Sequence, residues 1–469
     1  MNEQGRQHLQ ALEGMGPAGQ WACERIIALT LENLGLKEQL AAAQASNRQL
    51  EESLEQLDRQ AHRQAAPFRR PEAQRNTHPG QPGRKAGHSG SFRARPEHID
   101  ETIHVALEGC PQCGGALCQK RVLVQYLEEI PVVRPHVTQL STEEGWCAHC
   151  QQEVYSSHPL QTGRAGGAAA VQLGPRALAL ACDLNKAKGL SMRKSAAILQ
   201  EHFGLKITPG GLAQLVQRVG AKLEPEYQQL ALALRASAVV HADETSWWVG
   251  GPGWWLWVFA TPQQTVYVVI RSRAASVALG VLGENFAGVL VSDCLAVYDD
   301  LNPLQHKCYC HHLKAVAEAM QLSGPASNDY LLQIQALLRT ALWLKALQGP
   351  VPEPRFDRCL NTLKGRAQLL LDWPRAQAIE EKVRMRLWKQ RDHLFTFLER
   401  VEVPATNNLA ERQLRPAVIA RKISCGNKTQ KGARAWQVLA SLAATCRQNG
   451  RSVIQDISSR VRLKPPRAP

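Results

Sequence analysis

The sequence predicts a multidomain α/β protein whose C-terminal half holds the α/β domain. Two observations lead to this fold class. In the C-terminal half, runs rich in β-branched residues alternate with helical stretches. In the N-terminal half, the composition changes several times, from helical to Pro- and Gly-rich and then to paired cysteines. The 469 residues are too many for one ordinary core and suffice for about three domains.

The charge of the chain favours a polyanionic partner. Its 56 Lys and Arg against 41 Asp and Glu give a net charge of +15. The excess is clustered: residues 62–97 hold eight basic residues against two acids, and residues 406–434 hold seven against one. No run reaches the ~18 apolar residues of a membrane span, and the start lacks a signal pattern. We therefore expect a cytoplasmic, nucleoid-associated protein without a membrane partner, whose 13 cysteines are thiols or metal ligands.

Residues 18–61 predict a coiled-coil dimerisation helix. A heptad register places apolar residues at every d position and Asn33 and Asn47 at two a positions. Buried Asn pairs favour a parallel two-stranded coil, so we expect a homodimer or a higher assembly. The alternative is a lone amphipathic helix that packs on its own domain.

Residues 62–99 then predict a flexible basic arm. The segment is rich in Pro, Gly, Arg and His and cannot bury a core. Arg84 and Lys85 are its candidate DNA contacts. A solvated linker is the alternative.

Residues 100–158 predict a zinc ribbon. Two Cys-x-x-Cys pairs, separated by 33 residues, can present four thiolates to one structural Zn²⁺. The apolar runs at 122–124 and 132–133 are typical of strands. A redox disulfide pair is the weaker alternative. The four candidate ligands are Cys110, Cys113, Cys147 and Cys150.

Residues 161–235 predict a helical DNA-binding domain. One helix follows Ser191 and ends at Gly204, and a second begins after Thr208 with Pro209 at its first position. Two short helices joined by a tight turn form a helix-turn-helix candidate, with Arg193 and Lys194 as DNA contacts. Many such helical hairpins bind nothing.

Residues 236–450 predict the catalytic domain, followed by a tail at 451–469. Three strands, a helix and a fourth strand succeed one another, which is the order of a ribonuclease-H-like core, and a helical insertion occupies about 320–400. Asp243 and Asp293 each end a strand-like run, and Glu411 lies on a helix predicted to start near Thr406. Such carboxylates can converge on two Mg²⁺ or Mn²⁺ ions about 4 Å apart, as phosphoryl transfer requires. Candidate phosphate contacts follow at Arg412, Arg415, Arg421 and Lys422.

Four further ligand-type residues, Cys308, Cys310, His311 and His312, suggest a second zinc site. Packing and contact with a DNA end are the preferred interpretation, because so short a run scatters its side chains to different faces.

The chain resembles the transposases of the insertion sequence sixty-six family. The resemblance rests on the segment from Asn407 to Arg451, the cysteine-pair spacing, the Gln-Pro-Gly arm and the His-Ala-Asp-Glu-Thr motif at Asp243. Two stretches depart from the pattern: Cys294-Leu295 replaces Gly-Tyr, and Cys308-Tyr309-Cys310-His311 replaces Cys-Trp-Ala-His.

The resemblance implies a DDE transposase with Asp243, Asp293 and Glu411 as its catalytic triad. Its partners would be double-stranded DNA, as element ends and target, and a second copy of itself in a synaptic assembly. Small accessory proteins of the same element are further candidates. Two alternatives remain: a catalytically degenerate DNA-binding regulator, and a metal-dependent nuclease that does not join strands.

Overall fold

The fold is described from a computed structural model, which covers residues 87–90, 92–162, 171–299, 301, 304–323 and 328–462, with a few isolated positions before residue 45. The predicted coiled coil at 18–61, Arg84 and Lys85 of the basic arm, and residues 463–469 of the tail lie outside the described residues, apart from those isolated positions. The chain divides into two compact units, Met1–Tyr126 and Leu127–Pro469. None of the helices in the described ranges has the length and hydropathy of a membrane span.

The second unit begins with a small hairpin and four helices. Its first elements are β1 (Glu144–Cys147), β2 (Gln152–Tyr155), α1 (Pro175–Cys182), a π-helical turn (Asp183–Ala187), α2 (Met192–Phe203), α3 (Pro209–Lys222) and α4 (Glu224–Leu234). The predicted start and end of α2 and the predicted start of α3 are confirmed. The Ser191 hydroxyl accepts a hydrogen bond from the Lys194 N–H, Gly204 ends α2 in the left-handed conformation, and the Thr208 hydroxyl caps α3.

The strands predicted at 122–124 and 132–133 are wrong. The described residues between 92 and 143 contain no strand, and Val122 and Val132 are 77% and 87% exposed. A β-branched run becomes a strand only when a partner pairs with it. Pro131 and Pro135, which flank the second run, also lack the backbone N–H that a strand would donate.

A five-stranded mixed sheet forms the centre of the second unit. Its strands are β3 (Val239–Trp247), β4 (Trp254–Ala260), β5 (Thr265–Ile270), β6 (Val289–Ser292) and β7 (Leu304–Lys307), with α5 (Ala275–Leu282) between β5 and β6. The spatial order is β5-β4-β3-β6-β7. The first three strands are antiparallel, whereas β6 runs parallel to β3 and β7 parallel to β6. The fold is therefore mixed α/β, as predicted.

In the described part of the chain, eight α-helices follow the sheet. They are α6 (Tyr309–Ser323), α7 (Asp329–Ala346), α8 (Glu353–Leu371), α9 (Ala378–Lys389), α10 (Thr396–Glu399), α11 (Asn408–Ser424), α12 (Gln430–Gln448) and α13 (Val453–Arg460). Helices α7 to α10 lie within the segment predicted to be a helical insertion.

Three apolar clusters hold these elements together. The first joins α1 to α4 and α12 to the sheet, with Leu199 and Leu290 both fully buried in it. The second packs α6 to α10 beside β6, and the third seats α11 and α12 on the β3–β4–β5 hairpins around Trp247 and Trp436. The N-terminal helices therefore share one core with the sheet, whereas burial in the third cluster holds α11, the helix that carries Glu411, on the sheet.

Candidate active site

Asp243 lies on β3, and Asp293 directly follows β6, the parallel strand that pairs with β3. Strand β3 pairs with β6 from Val239 to His241, opposite Val289 to Val291. Asp243 and Asp293 each lie two residues after the last of these pairs, His241 opposite Val291. Since paired parallel strands run in the same direction, both carboxylates follow the last paired residues at one level of the sheet.

The sequence placed Asp243 at a strand end, which is wrong. It lies in the middle of β3, opposite Val258 of β4. The long antiparallel pairing with β4 continues the strand to Trp247, which the apolar pattern of the sequence could not reveal. Asp293 directly follows β6, as predicted.

Each aspartate commits one oxygen to the backbone. Asp243 Oδ1 accepts a 2.8 Å hydrogen bond from the Glu244 N–H, and Asp293 Oδ1 accepts one of 3.1 Å from the Leu295 N–H. Within the described part of the chain, the Oδ2 atoms make no hydrogen bond. One carboxylate oxygen of each residue therefore remains available to a cation.

The three predicted acids act on one another electrostatically. The pKa of Asp243 is raised from 3.8 to about 7, first by burial and then by the negative charges of Asp293, Glu244 and Glu411. The Glu244 N–H opposes this rise. Carboxylates that repel one another in a half-buried position are a donor set for divalent cations, which would neutralise them.

Asn407 anchors the helix of Glu411 to β3. Its amide Nδ2 donates a 2.8 Å hydrogen bond to the Ala242 carbonyl, and its Oδ1 lies 3.1 Å from His241 Nδ1. Asn407 precedes Glu411 by one helical turn, and Ala242 directly precedes Asp243. The anchor therefore sets the position of the third acid relative to the first.

The start of α11 differs from the sequence prediction. The helix begins at Asn408, and its N-cap is Asn407 instead of Thr406. The Asn407 side chain does not cap the helix but turns into the core, where it is fully buried. Burial of an amide requires partners, and β3 supplies them.

His241 is neutral in this arrangement. Burial lowers its pKa to about 4, although its contact with Asn407 raises it. Because Asn407 Nδ2 donates to Ala242, its Oδ1 is the acceptor that faces His241, so Nδ1 of the imidazole donates the proton. The His-Ala-Asp motif thus orients the anchor that Asn407 forms.

Cys308 and His311 adjoin Glu411, which sequence reasoning missed. One ligand atom from each of Cys308, His311 and Glu411 lies within 4.8 Å of the other two. The Asn407 N–H also donates a 3.2 Å hydrogen bond to Cys308 Sγ. The other two residues of the run lie apart from this group. Cys310 is exposed, and His312 is buried near Cys294 Sγ, with distances of 3.7 and 3.8 Å from its ring nitrogens.

Glu244 is a second residue that sequence reasoning passed over. Its side chain is 2% exposed and forms a 2.8 Å ion pair with Arg273. The Tyr298 hydroxyl donates a 2.8 Å hydrogen bond to its other oxygen. The only local signal for this role is the alternation of side chains along β3, which places Glu244 on the face opposite to that of Asp243. Glu244 thus ties β3 to the turn after Asp293.

The predicted basic residues have different environments. Arg421 contacts β3, where its guanidinium donates to the Thr245 and Ser246 hydroxyls at 3.2 and 2.8 Å. Arg193 and Lys194 are exposed in the first turn of α2, and Lys422 lies in the last turn of α11.

Arg412 and Arg415 border a basic cavity. They are exposed on α11 and line a space of about 260 Å³. The described residues around this space include no acid, and its five basic residues are Lys186, Lys188, Arg412, Arg415 and Arg447. Burial lowers the pKa of Lys186 to about 8, and no hydrogen-bond or ion-pair partner for it occurs among the described residues. An ammonium group in this position favours an anionic ligand.

The family to which these features belong is shown by comparison with known proteins. Residues 170–435 match the family model described as Transposase IS66 family, which spans more than half of the chain.

The chain belongs to the IS66 transposase family.

Two relatives from Sinorhizobium fredii are also similar. The uncharacterized protein y4qI is 25% identical over 312 residues, which are 59% of this chain and 56% of that protein. The uncharacterized protein y4jO is 26% identical over 186 residues, 37% of this chain and 54% of that protein. The chain thus spans about half the length of the curated relatives that it matches.

The IS66 match includes all three acids, but it begins after the two cysteine pairs. Each pair lies in a tight turn. In the first unit, the Gly114 N–H donates to the Cys110 carbonyl at 2.8 Å. In the second unit, the Cys150 N–H lies 3.5 Å from Cys147 Sγ in the β1–β2 turn.

Both turns favour thiolates. The pKa of Cys110 is lowered by the backbone N–H of Gln112 and by Cys113, and the pKa of Cys147 is lowered by Cys150 and by the His149 N–H. Backbone donors that face a sulfur atom suit a metal-binding thiolate. The two pairs fall in different units.

Proposed function

We propose that the chain is a DNA transposase that binds the ends of an insertion sequence, cleaves the DNA and joins the new 3′-hydroxyl to target DNA. The observation that supports this most directly is the environment of Asp243, where burial first, and then the negative charges of Asp293, Glu244 and Glu411, raise its pKa to about 7. Family membership and the strand order β5-β4-β3-β6-β7, which we interpret as a ribonuclease-H-like core, support it independently.

The three acids fit a divalent-cation site. Asp243 and Asp293 each keep one oxygen without a protein donor, and Glu411 approaches from α11 through the Asn407 anchor. Bound Mg²⁺ or Mn²⁺ would supply activation of the attacking oxygen and stabilisation of the leaving one. The chain's own part is to hold these carboxylates in position, with the pKa of Asp243 raised to about 7.

The reaction proceeds in two displacements at phosphorus. In the first, water attacks the phosphodiester at the element end, and the bond to the 3′-oxygen breaks. In the second, that freed 3′-hydroxyl attacks a target phosphodiester, forms the new bond and releases a target 3′-hydroxyl. Both displacements place negative charge beside the site, so basic side chains are needed along the DNA path.

The basic cavity fits a contact with the phosphate backbone of DNA. Arg412 follows Glu411 directly, and Arg415 lies one turn further along α11. Both line the cavity with Lys186. If the phosphodiester to be cleaved lies at Glu411, neighbouring phosphates of the same DNA would therefore reach these cations.

The test is a cleavage and joining assay with the full chain. Labelled duplexes from the ends of the element that encodes it are incubated with Mg²⁺, with target DNA present. We expect nicked and joined products with the wild type and neither product with Asp243→Asn, Asp293→Asn or Glu411→Gln, whereas DNA binding persists. The control is Glu284→Gln, since Glu284 is exposed in the loop after α5.

Each outcome separates the proposal from its alternatives. Robust cleavage by any triad variant would contradict the triad. Binding without cleavage by the wild type would favour the DNA-binding regulator, and nicks without joined products would favour the nuclease.

A further inference from the structure

Cys308, His311 and Glu411 form a compact group with a ligand chemistry of its own. Among the residues described, it is the one group of three potential metal ligands whose atoms all lie within 4.8 Å of one another. Cys308 directly precedes α6, His311 lies in the first turn of that helix, and Glu411 lies in the first turn of α11. Two helix starts thus bring together residues about a hundred positions apart.

A thiolate, an imidazole and a carboxylate differ from the oxygen ligands that Mg²⁺ prefers. Nitrogen and sulfur donors select Zn²⁺ and similar borderline cations, whereas Mg²⁺ keeps oxygen ligands. Three protein ligands with a fourth position open are the common arrangement of an accessible zinc site. The group therefore fits an ion different from those of the three acids.

The surroundings of Cys308 and His311 support metal binding. The Cys308 side chain is fully buried, and its Sγ accepts the Asn407 N–H at 3.2 Å, as a ligating thiolate would. The Nδ1 atom of His311 is buried without a hydrogen-bond partner in the described structure. A buried nitrogen without a hydrogen-bond partner destabilises the fold, and a metal ion bound by the imidazole would offset the cost of placing this ring here.

We propose that Cys308, His311 and Glu411 bind one Zn²⁺ and that this ion competes with Mg²⁺ for Glu411. Binding forms bonds from Sγ, an imidazole nitrogen and a carboxylate oxygen to the ion, and the Cys308 thiol releases its proton to solvent. Zinc in this site withdraws Glu411 from Asp243 and Asp293. The competition rests on the proposed function, whereas the binding does not.

Cobalt titration of the full chain tests the binding. Co²⁺ replaces Zn²⁺ and gives a thiolate-to-cobalt charge-transfer absorption only where sulfur is a ligand. We expect Cys308→Ser to bind one equivalent of Co²⁺ less than the wild type, with a matching loss of absorption. Cys310→Ser is the matched control, because Cys310 is exposed and outside the group. The signal of the two Cys-x-x-Cys pairs is common to all variants and cancels in the difference.

His311→Asn gives a second reading should Cys308→Ser fail to fold. His311 is partly exposed, so its replacement disturbs packing less. We expect this variant to bind the Co²⁺ more weakly by at least about tenfold, since even the loss of an outer partner of a ligand costs that much. Equal stoichiometry and equal affinity in the wild type, Cys308→Ser and His311→Asn would overturn the site.

Zinc inhibition tests the competition. We expect Zn²⁺ to inhibit Mg²⁺-dependent cleavage by the wild type and by Cys310→Ser at concentrations that leave His311→Asn active. Equal inhibition of all three proteins would overturn the competition. If no protein cleaves DNA under any condition, the proposed function fails, and the cobalt difference still decides whether the metal site exists.

Discussion

The side-chain amide of Asn407 donates a 2.8 Å hydrogen bond to the backbone carbonyl of Ala242. These residues are 165 positions apart, and each neighbours a candidate catalytic acid, Glu411 one turn later and Asp243 at the next position. The bond therefore joins two parts of the site through groups that do not themselves react. Of the two asparagines before Glu411, only Asn407, which makes this bond, is buried.

Replacing Asn407 should damage both the fold and the site. We expect Asn407→Ala to lower the free energy of unfolding by roughly 2 kcal/mol, because the His241 imidazole and the Ala242 carbonyl lose their buried partner. Asn408→Ala is the matched control, since Asn408 is exposed. Denaturant unfolding measures the difference, and equal stability of the two variants would contradict the anchor.

The stability of the protein without divalent ions should depend on the charge of Asp243. A carboxyl group whose pKa rises from 3.8 unfolded to about 7 folded binds its proton more tightly in the fold. Stability is therefore lost as the pH rises through this window. Asp243→Asn should lack this loss. Its free energy of unfolding should therefore exceed that of the wild type by on the order of 2 kcal/mol at alkaline pH and should equal it at the acidic end of the window.

Thermal unfolding in a chelator at several pH values checks this expectation. Addition of Mn²⁺ at alkaline pH should then raise the Tm of the wild type more than that of Asp243→Asn. A difference in Tm between the two proteins that stays constant with pH would contradict the raised pKa of Asp243.

Lys186 and Arg415 should contribute to DNA binding through phosphate contacts. We expect Lys186→Gln and Arg415→Gln each to weaken binding similarly for all DNA sequences and to reduce the slope of log affinity against log salt by about 0.9. The control is Lys382→Gln, which removes an exposed cation on α9 outside the cavity. DNA affinities measured at several salt concentrations test this prediction. An equal loss of affinity with Lys382→Gln would show only a general effect of net charge.

The four cysteines predicted to share one Zn²⁺ should behave as a set. We expect Cys113→Ser to lose one equivalent of Zn²⁺ from the full chain, because the thiolate set is then incomplete. Cys118→Ser should retain it, since Cys118 is an exposed thiol outside both pairs. Metal analysis after dialysis gives the count, and a wild-type count that Cys113→Ser leaves unchanged would rule out the ribbon.

Gly220 should not tolerate a side chain. A Cβ atom there would lie 2.8 Å from both Cα and Cβ of Ala435, where α3 meets α12. We expect Gly220→Ala to destabilise the protein by about 1–3 kcal/mol, because backbone must shift. Gly210→Ala on the same helix meets nothing within 4 Å, and it should stabilise by up to about 1 kcal/mol. Thermal unfolding of both variants measures the contrast.

The sequence by itself determined the features that depend on local chemistry. The caps at Ser191 and Thr208, the left-handed stop at Gly204 and the strand at Thr265–Ile270 all depend on residues a few positions apart. The family was also evident from the motifs around Asp243 and Glu411, and the family match confirms it.

Only the tertiary structure decided which distant groups meet. Pairing with β4 placed Asp243 within a strand, burial turned Asn407 away from the helix it precedes, and two helix starts brought Cys308 and His311 to Glu411. The valine runs before β1 show the converse, because strand propensity without a partner gave no strand there. Helix caps and apolar periodicity act within a few residues, whereas a buried polar group is satisfied by whichever surface the packing of the core places against it.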